Sequence, residues 1–266
     1  MEIISQIVKS RKIIKEVLKN EYDTDNLPIY SIEEVDKLFD LESTNDNPYK
    51  HLGKASNGNA CNLILNHKFV KNHKLHIIYY NFQKNGKTKT MKSIVTNVMK
   101  LYDTDTNDTD DTGDTNDTND TNDTNDTENI FKYTDNMIII LNEPIRDTIQ
   151  VLCNELNMLL KEQKNDMIEN DIGLDRRHFG NVFMFDIKTL QFNILDHEIV
   201  PEHIVYRNKV DIEKILEDCN CNIEQLPIIL KNDPVAKLKM LVPGDICKIM
   251  RTSKTCGEYP YYRVCK

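Results

Sequence analysis

The sequence has no long apolar run. The longest, "MIIIL" at residues 137–141, falls far short of the roughly 20 residues that a membrane-spanning helix needs. No membrane partner is therefore expected. The opening "MEIISQIVKSRKIIKEVLKN" mixes charged with apolar residues and lacks both the unbroken apolar core and the small-residue cleavage site of a secretory signal. The reading is an intracellular protein. Cysteine usage agrees with it. The seven cysteines are odd in number and scattered, which argues against a disulfide framework. No Cys-x-x-Cys knuckle occurs, so a zinc site is not expected; Cys219-x-Cys221 stands alone. His67, His73 and His76 are close in sequence but have no cysteine pair beside them, and read as surface or half-buried side chains.

One stretch lacks charge of one sign. Residues 103–128 hold eleven acidic side chains and no Lys or Arg. The whole chain has 43 acidic and 34 basic residues; without the tract the acidic count falls to 32, a balance of +2. The formal net charge of −9 thus belongs to the tract, and the acidity of the chain says nothing about what the rest of it binds. The tract repeats Asn-Asp-Thr. Asn107, Asn116, Asn119, Asn122 and Asn125 each open an Asn-x-Thr triplet, but without a secretory signal they are not expected to be glycosylated. A calcium loop fails on register: counted from Asp108, Gly113 falls at position 6, but Thr112 takes position 5 and Asn119 position 12. With nothing apolar to bury and strong self-repulsion, the tract reads as a disordered insertion at about residues 103–129.

What remains is patterned as α+β. Residues 3–18 carry helical periodicity. Ser31 and Glu34 form a Ser-x-x-Glu capping box, with Val35, Leu38 and Phe39 on the inner face of the helix it starts. Residues 45–59 read as loop. "KLHIIYYNF" (74–82) is β-branched and aromatic, hence a strand, followed by a turn at "KNGK" (84–87). Helical spacing returns from Met91 to Tyr102. "NMIIIL", "NVFMFD" and "LQFNIL" read as strands, and Pro144 as an early residue of a helix running to about Leu160. Residues 1–195 are therefore expected to form one α/β domain interrupted by the tract.

From His197 the texture changes. "VDIEKILEDC" predicts a helix capped by Asp211, and "NDPVAKLKML" one capped by Asp233 with Pro234 in its first turn. "VPGD" (242–245) meets the type II turn requirement; "DICKIMR" and "YPYYRVC" are strands about a turn at "SKTCGE". Residues 196–266 form a small α+β unit with a mixed sheet. Its charge is nearly even, eleven Lys/Arg against ten Asp/Glu over 197–266. A dedicated nucleic-acid binder is clearly basic, so this unit reads as protein-binding.

"HEIVPEH" (197–203), "QLP" (225–227), "DPVA" (233–236) and "GDICKIMRTSKTCGEYPYYR" (244–263) fall in order with matching gaps. They resemble the C-terminal domain of the fifth subunit of eukaryotic-type DNA-directed RNA polymerases, whose archaeal counterpart is little more than this domain. More loosely, "KTMKSIV" (89–95) and "FDIKTLQFNILDHE" (185–198) resemble the eukaryotic subunit's jaw domain, which has a nuclease-like fold. The family has no counterpart of the Asn-Asp-Thr tract. Ile228 stands where the family usually has a basic residue, Cys256 where it has Ala, and Met240 where Gly often ends a helix. Met enters the left-handed region poorly, so this helix end is expected to differ.

The resemblance implies a non-catalytic subunit with no metal, cofactor or catalytic residue of its own. The C-terminal domain would dock on the largest polymerase subunit, among other polymerase subunits. The expected docking residues are His197, Glu198, Pro201, His203, Gln225, Pro227, Asp233, Pro234, Gly244, Lys248, Arg251, Thr255, Gly257, Tyr262 and Arg263. The jaw would line the path of downstream duplex DNA, with Pro144 and Arg146 nearest it and Glu143 and Asp147 keeping any contact weak and sequence-independent. A jaw domain implies a eukaryote, hence the nucleus, or a large DNA virus, hence the virion or host cytoplasm. Two other classes compete. A metal-dependent nuclease would use Asp186-x-Lys188 with Asp171 and Asp175, but "FDIKT" reads as a hairpin turn. His197, Glu198, Glu202 and His203 can be drawn as a metal cluster, which the family reading makes docking and packing residues. A stand-alone transcription regulator would carry an extra module, and none is found.

Overall fold

A computed structural model describes residues 2–28, 30–40, 52, 61–80, 82, 90, 92–102, 131–164 and 176–266. The Asn-Asp-Thr tract, most of the 45–59 loop, the turn at 84–87, Asp171 and Asp175 lie outside the described residues.

The first unit is a four-stranded sheet between two helical layers. Strands β1 (Leu63–Asn66), β2 (Lys74–Tyr79), β3 (Asn136–Leu141) and β4 (Val182–Asp186) lie in sequence order, with β1–β2 antiparallel and the other two pairings parallel. Helices α1 (Glu2–Leu18) and α2 (Ile32–Asp40) cover one face; α3 (Ser93–Met99) and α4 (Asp147–Lys164) cover the other. Successive strand residues point to opposite faces. Ile138 and Ile140 therefore join the core under α1 and α2, while Met137, Ile139 and Leu141 join the core under α3 and α4. This is why "NMIIIL" is apolar without alternation: β3 is buried on both sides. The capping box at α2 is formed as expected, with Glu34 Oε2 accepting from Ser31 N at 2.7 Å and Ser31 Oγ from Glu34 N at 3.2 Å.

The second unit is a mixed sheet in the order β5–β7–β8–β6, from β5 (His203–Tyr206), β6 (Ile228–Ile229), β7 (Ile246–Ser253) and β8 (Gly257–Cys265). β6 runs parallel to β8, and the other pairings are antiparallel. Helix α5 (Lys209–Asp218) packs Ile212 and Ile215 against Ile246 and Val264 on one face. Helix α6 (Pro234–Leu238) sets Ala236 against Cys247, Ile249 and Cys265 on the other. Asp233 caps α6, accepting from Val235 N at 2.8 Å, and Gly244 takes φ +97° in the "VPGD" turn.

Several expectations need correction. "LQFNIL" is not a strand: Leu190 ends a 3-10 turn (Ile187–Leu190) and a second one spans Ile194–Asp196. "FDIKT" is accordingly no hairpin turn; Asp186 caps the first of these 3-10 turns. The α5 cap is Asn208, whose side chain accepts from Val210 N, and Asp211 sits in the first turn. Pro144 precedes α4 rather than opening it. His73 and His76 are buried, at 4% and 0% exposure.

Met240 does adopt the left-handed conformation, at φ +49°. Leu241 N donates to Ala236 O at 2.9 Å and Met240 N to Lys237 O at 3.0 Å, a complete Schellman motif without glycine. The compensation is burial. Met240 is 6% exposed and packs, with Leu238 and Val242, into the core beneath α1 and α2.

Candidate docking site

The seam between the two units is polar and buried. His178 Nε2 lies 2.7 Å from Asp245 Oδ1. Asp245 Oδ2 accepts from Val242 N at 3.0 Å, and Arg207 reaches Glu21 at 2.5 Å and Asp245 at 3.7 Å. Arg177 Nη1 donates to Pro243 O, so close to Gly244 that a Cβ there would collide with the guanidinium. Gly244 thus serves the seam. Sequence reasoning did not find His178, Arg177 or Arg207; each gains its role from a partner at least 32 residues away.

The remaining expected docking residues fall into three places. Asp233, Pro234, Gln225 and Pro227 shape local structure: Asp233 is the α6 cap, Pro234 its first residue, Gln225 Oε1 accepts from Asn222 N at 2.8 Å, and Pro227 O accepts from Val264 N. His197, Glu198, Pro201 and His203 lie on the approach to β5. His197 Nδ1 accepts from Ile199 N at 3.2 Å, and His203 Nδ1 is 2.6 Å from Pro201 O. Burial lowers the His203 pKa, against the raising effect of that carbonyl. Among the described residues no group of three or more His, Cys, Asp or Glu is arranged to hold a metal ion.

The third place is the β7–β8 hairpin, where the register divides the residues between faces. Lys248 pairs with Tyr262 and Ile204 on the α5 face. Arg251, Tyr261 and Arg263 lie on the α6 face, since facing strand residues share a side. Arg251 Cζ is 4.4 Å and Arg263 Cζ 5.4 Å from the centre of the Tyr261 ring. Arg263 Nη1 donates to Ile228 O at 3.2 Å, while its Nε has no acceptor among the described residues. Thr255 and Gly257, with Cys256 between them, form the exposed tip, where Gly257 takes φ +69°. Ile228, on β6, is 46% exposed.

In the first unit, Pro144 and Arg146 are exposed on the approach to α4, and Arg146 O accepts the first helical bonds from Ile149 and Gln150. Glu143 Oε1 is engaged by Thr90 N. Asp186 is 8% exposed and its Oδ1 caps Lys188 N at 3.0 Å. No helix among the described residues is long and apolar enough to cross a membrane.

The second unit is thus a small mixed sheet backed by a helix on each face, with a basic and aromatic hairpin. A family model described as RNA polymerase Rpb5, C-terminal domain, matches residues 192–265. The chain is 41% identical over 75 residues to DNA-directed RNA polymerase subunit Rpo5 of Methanosphaera stadtmanae, covering 28% of this chain and 96% of that protein. It is 43% identical over 75 residues to the Rpo5 of Archaeoglobus fulgidus (28% and 97%) and 41% over 76 to that of Nitrosopumilus maritimus (29% and 90%). The chain belongs to this Rpb5/Rpo5 family of RNA polymerase subunits.

Proposed function

We propose that the chain is a non-catalytic subunit of an intracellular multisubunit DNA-directed RNA polymerase. Residues 196–266 dock it on the largest subunit, and residues 1–195 form a jaw along the path of downstream duplex DNA. The observation that carries the reading is the family match over residues 192–265, which accounts for nearly the full length of archaeal relatives that have no room for another module.

The hairpin supports docking on physical grounds. Two guanidinium groups share one tyrosine ring, and one keeps a buried N–H without an acceptor. A carboxylate of the partner would offset the repulsion between the two cations. Arg146, exposed just before α4, suits a phosphate contact that positions DNA without reading sequence. Affinity capture of the tagged chain from its native cells tests the assignment: the largest polymerase subunit should co-purify in stoichiometric amount, and its absence overturns the reading.

A further inference from the structure

The first unit contains a second candidate contact site, far in sequence from the docking hairpin. A groove of about 330 Å³ runs between α1 and the turn at residues 24–28 with Tyr30 beside it. Its floor is apolar, made by Val8, Leu27, Tyr30 and Leu63. Its rim is basic. Lys12 and Lys15 on α1 and Lys19 just past its end recur at helical spacing, so they line one wall together. Glu16 and Asp25 are the acids of the lining, against four cations.

The fourth cation is Arg11, and it is the unusual one. It is only 9% exposed, yet no carboxylate of the described residues pairs with it. Its Nη1 donates to Cys61 O at 2.7 Å, and its Cζ lies 4.9 Å from the centre of the Tyr30 ring. A guanidinium removed from water without a counter-charge is costly. An anion entering the groove would offset that cost. Lys15 is similarly underused, its Nζ reaching across to Leu27 O at 3.3 Å.

Floor and rim together select the ligand class. Phosphates of a duplex would meet the lysines but leave the apolar floor empty. A peptide placing an apolar side chain on Val8, Leu27 and Leu63, with carboxylates before and after it, satisfies both. We propose that this groove is a receptor for an acidic, apolar-anchored peptide segment of a protein partner, with one carboxylate held by Arg11 and others by Lys12 and Lys19. The chain's own acidic tract fits poorly as the occupant, because residues 103–128 contain no apolar side chain to seat on the floor.

The test is fluorescence anisotropy of the full chain with a labelled short peptide of glutamates carrying Leu and Phe one helical turn apart. Four controls accompany it: Ser for Leu and Phe, Lys for Glu, a peptide of the Asn-Asp-Thr repeat, and a short DNA duplex. Saturable binding of the first peptide alone is expected. The triple variant Lys12→Glu/Lys15→Glu/Lys19→Glu should weaken it about tenfold or more, by charge reversal at the rim. Arg11→Gln should abolish it; since this buried change can also disturb folding, its far-ultraviolet spectrum and melting are measured alongside. No saturable binding, equal binding of the serine or repeat peptide, indifference to the triple variant, or tighter binding of the duplex through the same lysines would each overturn the proposal. Polymerase capture through the hairpin is independent of every one of these outcomes.

Discussion

His178 and Asp245 face each other at 2.7 Å across the seam, with the aspartate fully buried. One comes from the turn before β4, the other from the turn before β7, so this contact ties the two sheets into one body. Removing either partner strands a buried polar group. His178→Ala or Asp245→Ala should cost about 3 kcal/mol. The loss from Asp245→Ala should be the larger, since Val242 N also loses its acceptor and Arg207 a nearby countercharge. Urea unfolding of the two variants measures both effects.

His73 predicts a pH dependence. Burial lowers its pKa to about 4, outweighing the attraction of Asp135. Its Nε2 faces Asn136 Nδ2 at 3.2 Å. Asn136 Oδ1 already accepts from Asn181 N, which fixes the amide orientation and leaves His73 Nε2 as an acceptor, hence unprotonated. The sign follows. Between the unfolded value of about 6.5 and the folded value, the unfolded chain binds the extra proton, so stability is lost as pH falls through that window. The contribution at stake is about 3 kcal/mol. His67, also lowered by burial, adds in the same direction. Unfolding free energy measured at pH 7 and pH 5 should drop, and His73→Gln should flatten the slope; an unchanged slope would refute the assignment.

Met240 sets two effects against each other. Met240→Gly relieves a left-handed strain of roughly 1–2 kcal/mol but forfeits a buried side chain whose loss costs about 2–4 kcal/mol. Met240→Ala loses the side chain and keeps the strain. Both variants should be destabilised, Ala more than Gly, by thermal unfolding. The reverse order would show that the core does not hold this residue in place.

This residue also shows where the sequence was legible and where it was not. The Ser31–Glu34 box, the Asp233 cap and the "VPGD" turn follow from local pattern, each within a few residues. Met240 was misread because its conformation is supported from outside the helix, by a core that α1 and α2 build. "LQFNIL" failed for the converse reason. Leu190 and Ile194 are held by the core, Gln191 donates to Gln6 O, and Phe192 is 56% exposed, so the segment needs no strand partner. Strands β1, β5 and β6 are short or half-exposed and give little periodicity. Arg11 was invisible as a site residue, because a lone arginine in an amphipathic helix looks like solvated charge until its burial is known.

The docking surface makes the most discriminating prediction, because the hairpin presents its expected residues on opposite faces. Arg251 and Arg263 stand with Tyr261 on the α6 face, Lys248 and Tyr262 on the α5 face. A partner lying flat against one face leaves the other exposed. The two guanidinium groups paired over Tyr261 single out the α6 face. Arg251→Ala and Arg263→Ala should each weaken capture of the largest polymerase subunit by about tenfold or more, as loss of a charged hydrogen bond at an interface centre does. Lys248→Ala, on the far side of the sheet, should change capture by less than about threefold, the scale of a rim charge. Arg251→Ala and Lys248→Ala should melt with the parent protein, since surface substitutions clear of such features leave stability within about 0.5 kcal/mol. Loss of capture by Lys248→Ala with Arg251→Ala unaffected would move the interface to the α5 face.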